Sequence, residues 1–326
     1  MTRGQLQVEY ADTFHPSLME SLILGATIFR DIILPIVLMI ALGWGLDRKL
    51  RFNLDTLVRL NLFLFVPAFI FVKVVESEAS GLLELRIVVF TATMIVMMFI
   101  ASWLIARMRG ESRKVRLGRQ LSTMFYNSGN FGIPLMALAF PDVGPIVQVF
   151  VLMTMNISTF SIGSILAHAQ TEKGGRSIWA AFRQPPVYAI GLAWICKSLS
   201  IPVDSIGYLW VPLEYLAEGL IGLSLVTLGV QLSKTKPPKL EGGILWTLSL
   251  RLLGGPLFAL VMTPLFGFEG EAAKVLIVGA GAPTAINTAL IAHEFKADSR
   301  QAAAAVFYST LLSVISVTVI ILLLRL

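Results

Sequence analysis

The sequence predicts an all-α polytopic membrane protein of ten transmembrane helices, built as two inverted five-helix repeats with broken crossover helices 4 and 9. Three observations lead there. The chain of 326 residues is 56% hydrophobic and only 14% charged, with a mean hydropathy of +0.78, whereas a soluble domain carries about a quarter charged residues. The basic residues gather in every second connection between apolar runs. Two of those runs are interrupted by Gly, Asn and Pro: YNSGNFGIP at 126–134 and VGAGAPTAIN at 278–287.

A membrane helix needs about 20 apolar residues, and runs of that kind fall at 26–46, 55–75, 85–107, 119–140, 144–167, 186–202, 212–233, 245–267, 271–294 and 299–325. The odd-numbered connections hold Arg48, Lys49 and Arg51; Arg107, Arg109, Arg113, Lys114, Arg116 and Arg119; Lys173, Arg176 and Arg183; Lys234, Lys236 and Lys239; and Lys296 and Arg300. The even ones are short or acidic, as in Glu76–Glu84 and Glu269–Glu271. The positive-inside rule then places the odd connections in the cytoplasm and both termini outside the cell (inner) membrane. Lys73, Arg86 and Lys274 fall near outer ends and do not fit that pattern.

The division that follows is an extracytoplasmic N-terminal segment 1–25, a first repeat 26–167, a cytoplasmic linker 168–185 and a second repeat 186–326. Pro35 matches Pro186, and Pro134 matches Pro283, each pair about 150 residues apart. An odd number of helices per unit inverts the second unit relative to the first. Inverted repeats with interrupted helices at corresponding places point to a secondary transporter and its site.

The formal charge of +6 and isoelectric point near 9.5 would indicate nucleic acid in a soluble chain, but here the basic residues read as topology signals. The opening stretch MTRGQLQVEYADTFHPS lacks the charged-then-apolar order of a signal peptide. Cys196, the single cysteine, excludes an intrachain disulfide and reads as a packing residue. His293-Glu294 has no second His to complete a zinc-protease pair, and no phosphate-cradling Gly-Lys-Ser/Thr loop occurs. Clustered acidic residues for a magnesium diphosphate are also missing. The chain therefore reads as no enzyme, with no cofactor and no metal; any transport would be secondary.

The breaks carry the chemistry. Proline lacks an N–H and clashes with the carbonyl four residues back, so Pro134 frees Asn130 and Pro283 frees Gly279. Freed backbone groups survive at membrane depth only where protein buries them or a watery cavity receives them. Each proline is expected to open a second half-helix, so that two N-termini, each with about half a positive charge, converge on one volume. Such a volume favours an anion. Asn127, Asn130 and Asn287 could supply directional amides, with Thr284 and Thr288 beside them and Phe131 and Gly132 within the first break. Gln148 in the fifth span either lines the site or bonds locally; Asn61, near Pro67, either faces the cavity or packs. C-terminal carbonyls of the first half-helices face the same region, which leaves a cation, H⁺ or Na⁺, open as a coupling ion. Glu214 and Glu218 read as interfacial residues, and Arg251 as a side chain that snorkels to the cytoplasmic surface.

NSGNFGIPL in the fourth span, FVPAFIF in the second, LGVQL ending the seventh and GAPTA in the ninth resemble the auxin efflux carrier family, over nearly all of the chain beyond its first 25 or so residues. The resemblance implies a fold shared with bile-acid/sodium symporters and sodium/proton antiporters. It implies a scaffold of helices 1, 2, 6 and 7, a moving domain of helices 3–5 and 8–10, elevator-type movement and a homodimer. By the same resemblance Asn130, with Asn127 beside it, contacts the anion, and Pro134 and Pro283 are the crossover prolines. The fourth and ninth spans lack the acidic residues that cation-coupled relatives place near the crossing. The expected function is carriage of a small organic anion, a carboxylate of auxin or malonate type. The alternatives are a Na⁺- or H⁺-coupled symporter or antiporter of the same fold, and a membrane sensor that does not transport.

Overall fold

The computed structural model describes residues 18–78, 81–168, 183–235, 238–240, 242–294 and 297–325. Lys173, Arg176, Lys236 and Lys296, residues 1–17 and nearly all of the 168–185 linker lie outside these residues.

Among the described residues the chain is all helix apart from connections and one isolated β-bridge. Helix occupies every expected span. The helices α1 (Met19–Leu50), α2 (Leu54–Glu76) and α3 (Gly81–Met108) come first. The fourth span is split into α4 (Arg113–Met124) and α5 (Ile133–Ala139). Then come α6 (Gly144–His168), α7 (Pro185–Ser198), α8 (Gly207–Lys234) and α9 (Ile244–Leu265). The ninth span is split into α10 (Gly270–Ala280) and α11 (Asn287–Glu294), and α12 (Ser299–Arg325) closes the chain. Six of these, α1, α2, α3, α8, α9 and α12, are long and apolar enough to cross a membrane.

Several helices run a few residues beyond the expected spans, and two boundaries have a plain local cause. Helix begins at Leu18, well before the expected start of the first span at 26; Glu20 in the first turn complements the positive helix end. The sixth span stops at Ser198, well before 202, because Ser200 turns into the left-handed region at φ 51° and Pro202 follows.

Prolines shape the long helices in one recurring way. Five-residue wide (π) turns at Phe29–Ile33, Asn61–Phe65, Ser128–Gly132 and Leu250–Gly254 each end two residues before a proline: Pro35, Pro67, Pro134 and Pro256. In three of them the residue just before the proline donates its N–H to a carbonyl five residues back: Leu34 to Phe29, Val66 to Asn61 and Gly255 to Leu250. The extra residue in the turn moves the carbonyl that the pyrrolidine ring would strike, so the helix passes the proline instead of ending there. Pro186, by contrast, sits at the start of α7. Its match with Pro35 is one of sequence offset, not of local structure.

Helices α1, α2, α7 and α8 pack on one another, with α8 against α1 and α2, and α7 against α2. Helix α3 packs on α4, α6 and α9, while α12 packs on α4 and α11. The α1–α8 contact depends on two glycines. A Cβ on Gly229, in the LGVQL segment, would lie 2.0 Å from the Ile40 carbonyl oxygen, and one on Gly43 would lie 2.3 Å from that of Val226. Small residues of this kind let membrane helices approach backbone to backbone.

Two of the three basic residues at odds with the loop-charge pattern, Lys73 and Arg86, have local partners. Lys73 pairs with Glu76 at 2.7 Å. Arg86 donates to the carbonyls of Phe266 and Gly267 just past the end of α9, supplying cationic donors where helix carbonyls run out. Lys197 does the same for Ser77 at the end of α2, at 2.6 Å.

Gly229→Ala is expected to cost about 1–3 kcal/mol, because the added methyl meets backbone rather than a movable side chain. Thermal unfolding in detergent checks this; a melting temperature equal to wild type would contradict the close approach.

Candidate functional site

The two broken spans meet at their breaks. After α4 the chain runs extended through Phe125–Asn127, and after α10 it runs through 281–286 before helix resumes. Tyr126 and Thr284 form an antiparallel β-bridge. The Asn127 N–H donates to the Pro283 carbonyl at 2.7 Å, and the Ala285 N–H donates to the Phe125 carbonyl at 2.9 Å. Backbone groups that Pro and Gly remove from the helices are thus paired across the crossing, which is what a water-poor interior demands.

Thr284, fully buried, fastens the bridge from both sides of its own residue. Its hydroxyl donates to the Ser122 carbonyl at 2.9 Å, and its N–H donates to the Ser309 hydroxyl on α12 at 2.9 Å. The Ser122 carbonyl is one of those left over at the end of α4.

Arg251 is placed differently from the sequence expectation. It is 1% exposed and lies beneath the crossing, not at the cytoplasmic surface. Its Nη1 donates to the Thr123 carbonyl at 2.6 Å and its Nη2 to the Ala280 carbonyl, so one guanidinium reaches the last turns of both α4 and α10. Its charge lies over the Tyr126 ring, 5.2 Å from the centroid, a favourable cation–π placement. The wide turn of α9 carries Arg251, and Gly255 one turn on leaves the room; a Cβ there would fall 2.5 Å from both the Ala280 oxygen and Arg251 Nη2. A cavity of about 10 Å³, enough for about one water, lies between Arg251, Tyr126, Thr91 and Met94, Met98, Met124 and Met155.

The breaks are not alike. Pro134 sits in the first turn of α5, behind the wide turn Ser128–Gly132. Pro283 does not open a half-helix; it lies in the non-helical connection 281–286, and α11 begins four residues later at Asn287. The Gly279 carbonyl is not freed either, since it accepts from the Ala282 N–H at 3.0 Å.

At the first break, Asn127 caps the wide turn. Its Oδ1 accepts from the Asn130 N–H at 3.1 Å, and its main-chain carbonyl accepts from the Gly132 N–H at 2.9 Å. Its Nδ2 is buried and has no partner, a costly state for an amide donor. Asn130 beside it is half-buried. Gln148, 1% exposed, donates from Nε2 to the Ser128 carbonyl at 2.7 Å. Gly132 permits that approach, because a Cβ there would lie 2.4 Å from Gln148 Nε2. Asn127, Asn130, Gly132, Gln148 and Thr284 are therefore brought together at the crossing.

Pro283 takes part through its carbonyl alone, on the Asn127 N–H. Phe131 and Pro134 are buried in packing, and the other predicted residues sit apart. Asn287 is exposed at the start of α11, and Thr288 is buried with its hydroxyl on the Ala285 carbonyl at 2.6 Å. Asn61 lies in the wide turn of α2 against α7 and α8, and both of its amide atoms lack hydrogen-bond partners. On α8, Glu214 is half-buried and Glu218 exposed. Sequence reasoning missed the role of Arg251. The signal available was RLLGGP at 251–256, an arginine on an apolar helix followed by the glycines and proline that turn it inward.

Known proteins give a consistent answer. The sequence profile of the family described as membrane transport protein matches residues 170–321. An uncharacterized transporter of Methanothermobacter thermautotrophicus is 26% identical over 266 residues, which cover 80% of this chain and 86% of that protein. The profile match takes in the ninth span, and both matches point to a transporter.

Thr284→Val keeps the shape but removes the donor to Ser122. It is expected to cost about 1–3 kcal/mol, the usual loss for an orphaned buried carbonyl. Thermal unfolding reads it, and a variant as stable as wild type would mean that the Ser122 carbonyl finds another donor.

Proposed function

We propose that this multi-pass membrane transport protein is a carrier for a small organic anion, bound by its carboxylate at the crossing of the two broken spans. The observation that carries this reading is the buried, unpartnered Nδ2 of Asn127 beside the half-buried Asn130 and the paired Gln148. A carboxylate oxygen is the acceptor such an amide lacks. The helical run from Ser128 to Ala139 and α11 both begin near the crossing, and two helix N-termini together offer about one unit of positive charge. That favours an anion whose bound end carries a single negative charge.

In this reading the ten helical spans form two inverted repeats that cross the cell membrane with both termini outside. The mutual packing of α1, α2, α7 and α8 supports a scaffold distinct from the remaining helices, which carry the crossing. The carrier would work by elevator-like displacement of the crossing past the scaffold, as a homodimer in the bilayer. The Gly43 and Gly229 contacts would keep α1 and α8 rigid while that happens.

The test is carboxylate exchange in proteoliposomes, paired with thermal stabilisation by the same carboxylate. Asn130→Ala is expected to fold, with a melting temperature within a few degrees of wild type, and to lose both exchange and ligand-induced stabilisation. Asn130→Ala that binds and exchanges like wild type would show that the anion sits elsewhere.

A further inference from the structure

We infer that the Arg251 guanidinium is the resident cation of the crossing, held on the carbonyl ends of α4 and α10 in the position a coupling Na⁺ would take, so that this carrier turns over without a coupling cation. The inference rests on the carrier reading above.

Interrupted membrane helices present two kinds of end at a crossing. The starts of the second halves are positive and suit an anion; the ends of the first halves present unpaired carbonyls and suit a cation. Each helix C-terminus is equivalent to about half a negative charge, so two of them amount to about one. Arg251 supplies one positive charge and places one nitrogen on each end: Nη1 on Thr123 of α4 at 2.6 Å, and Nη2 on Ala280 of α10. The match is in both charge and geometry, since a planar guanidinium offers separate donors in a fixed fork.

The site is built for that side chain. Arg251 is 1% exposed, and the wide turn at Leu250–Gly254 and the bare Cα of Gly255 let it reach Ala280. Tyr126, a member of the bridge, presents its ring to the charge at 5.2 Å. Na⁺ would need several oxygens free at once, and the guanidinium already engages Thr123 and Ala280 while the Thr284 hydroxyl occupies Ser122. The covalent cation belongs to α9 and stays with the crossing through every step of turnover. It therefore positions the two half-helices without itself being transported.

Wild type, Arg251→Ala and Arg251→Lys purified in detergent are melted in sodium, N-methylglucamine and millimolar guanidinium chloride, and their carboxylate flux is measured with and without Na⁺. Wild type is expected to melt and transport equally in sodium and N-methylglucamine. Arg251→Ala is expected to melt roughly 5–10 °C lower, as for a buried charge network that loses a member, and to recover in guanidinium or Na⁺. Arg251→Lys should fall between the two and stay insensitive to Na⁺. A merely structural arginine would give the loss without the cation-selective recovery, so an alanine variant that responds to neither cation overturns the inference. If that variant does not fold, wild type and Arg251→Lys decide: a requirement for Na⁺ in the stability or flux of either overturns it, and indifference to Na⁺ in both upholds it. Wild type that moves no carboxylate at all would instead overturn the carrier reading, leaving the melting results to judge Arg251.

Discussion

Two backbone hydrogen bonds hold the centre of this protein: Asn127 N–H to Pro283 carbonyl and Ala285 N–H to Phe125 carbonyl. A helix interrupted in an apolar interior leaves donors and acceptors that cannot be abandoned there. Two interruptions that meet can satisfy each other, and a single antiparallel bridge between Tyr126 and Thr284 does so. Neither broken span would be tolerable alone at these positions. The surrounding polar contacts extend the same solution: Thr284 takes the Ser122 carbonyl, Ser309 takes the Thr284 N–H, and Arg251 takes the ends of α4 and α10.

The contacts divide by charge. Beneath the bridge a cationic side chain covers helix carbonyls. Beside it, at the wide turn Ser128–Gly132, the amides of Asn127 and Gln148 face backbone and leave one donor unpaired. Met94 and Met98 of α3 and Met155 of α6 line the small cavity that Arg251 also lines. The proposed anion and the resident guanidinium thus occupy different places on one crossing.

Much of this was legible in the sequence, because span lengths and proline positions follow from rules with few exceptions in a membrane. Helix forms in each of the ten apolar runs, six of the helices are long enough to cross a membrane, and YNSGNFGIP and GAPTAIN do mark breaks. What the sequence hid depends on partners far along the chain. Pro35, Pro67, Pro134 and Pro256 all follow wide turns, which proline alone does not announce; Pro283 ended up in the bridge because its carbonyl was needed by Asn127. The snorkelling expected of Arg251 is a sound default for an arginine near a helix end. It failed because two helix termini, one from each half of the chain, lie within reach of the guanidinium.

On the proposed reading the crossing is an anion site with a fixed internal positive charge, and the anion alone is carried across. Current measured on solid-supported membranes, with a panel of mono- and dicarboxylates and with Na⁺ and pH gradients varied independently, tests it most directly. The expected result is a current carried by net movement of negative charge, present with at least one carboxylate and unchanged when Na⁺ is replaced. A current that follows the Na⁺ or pH gradient in the absence of any organic anion would contradict it.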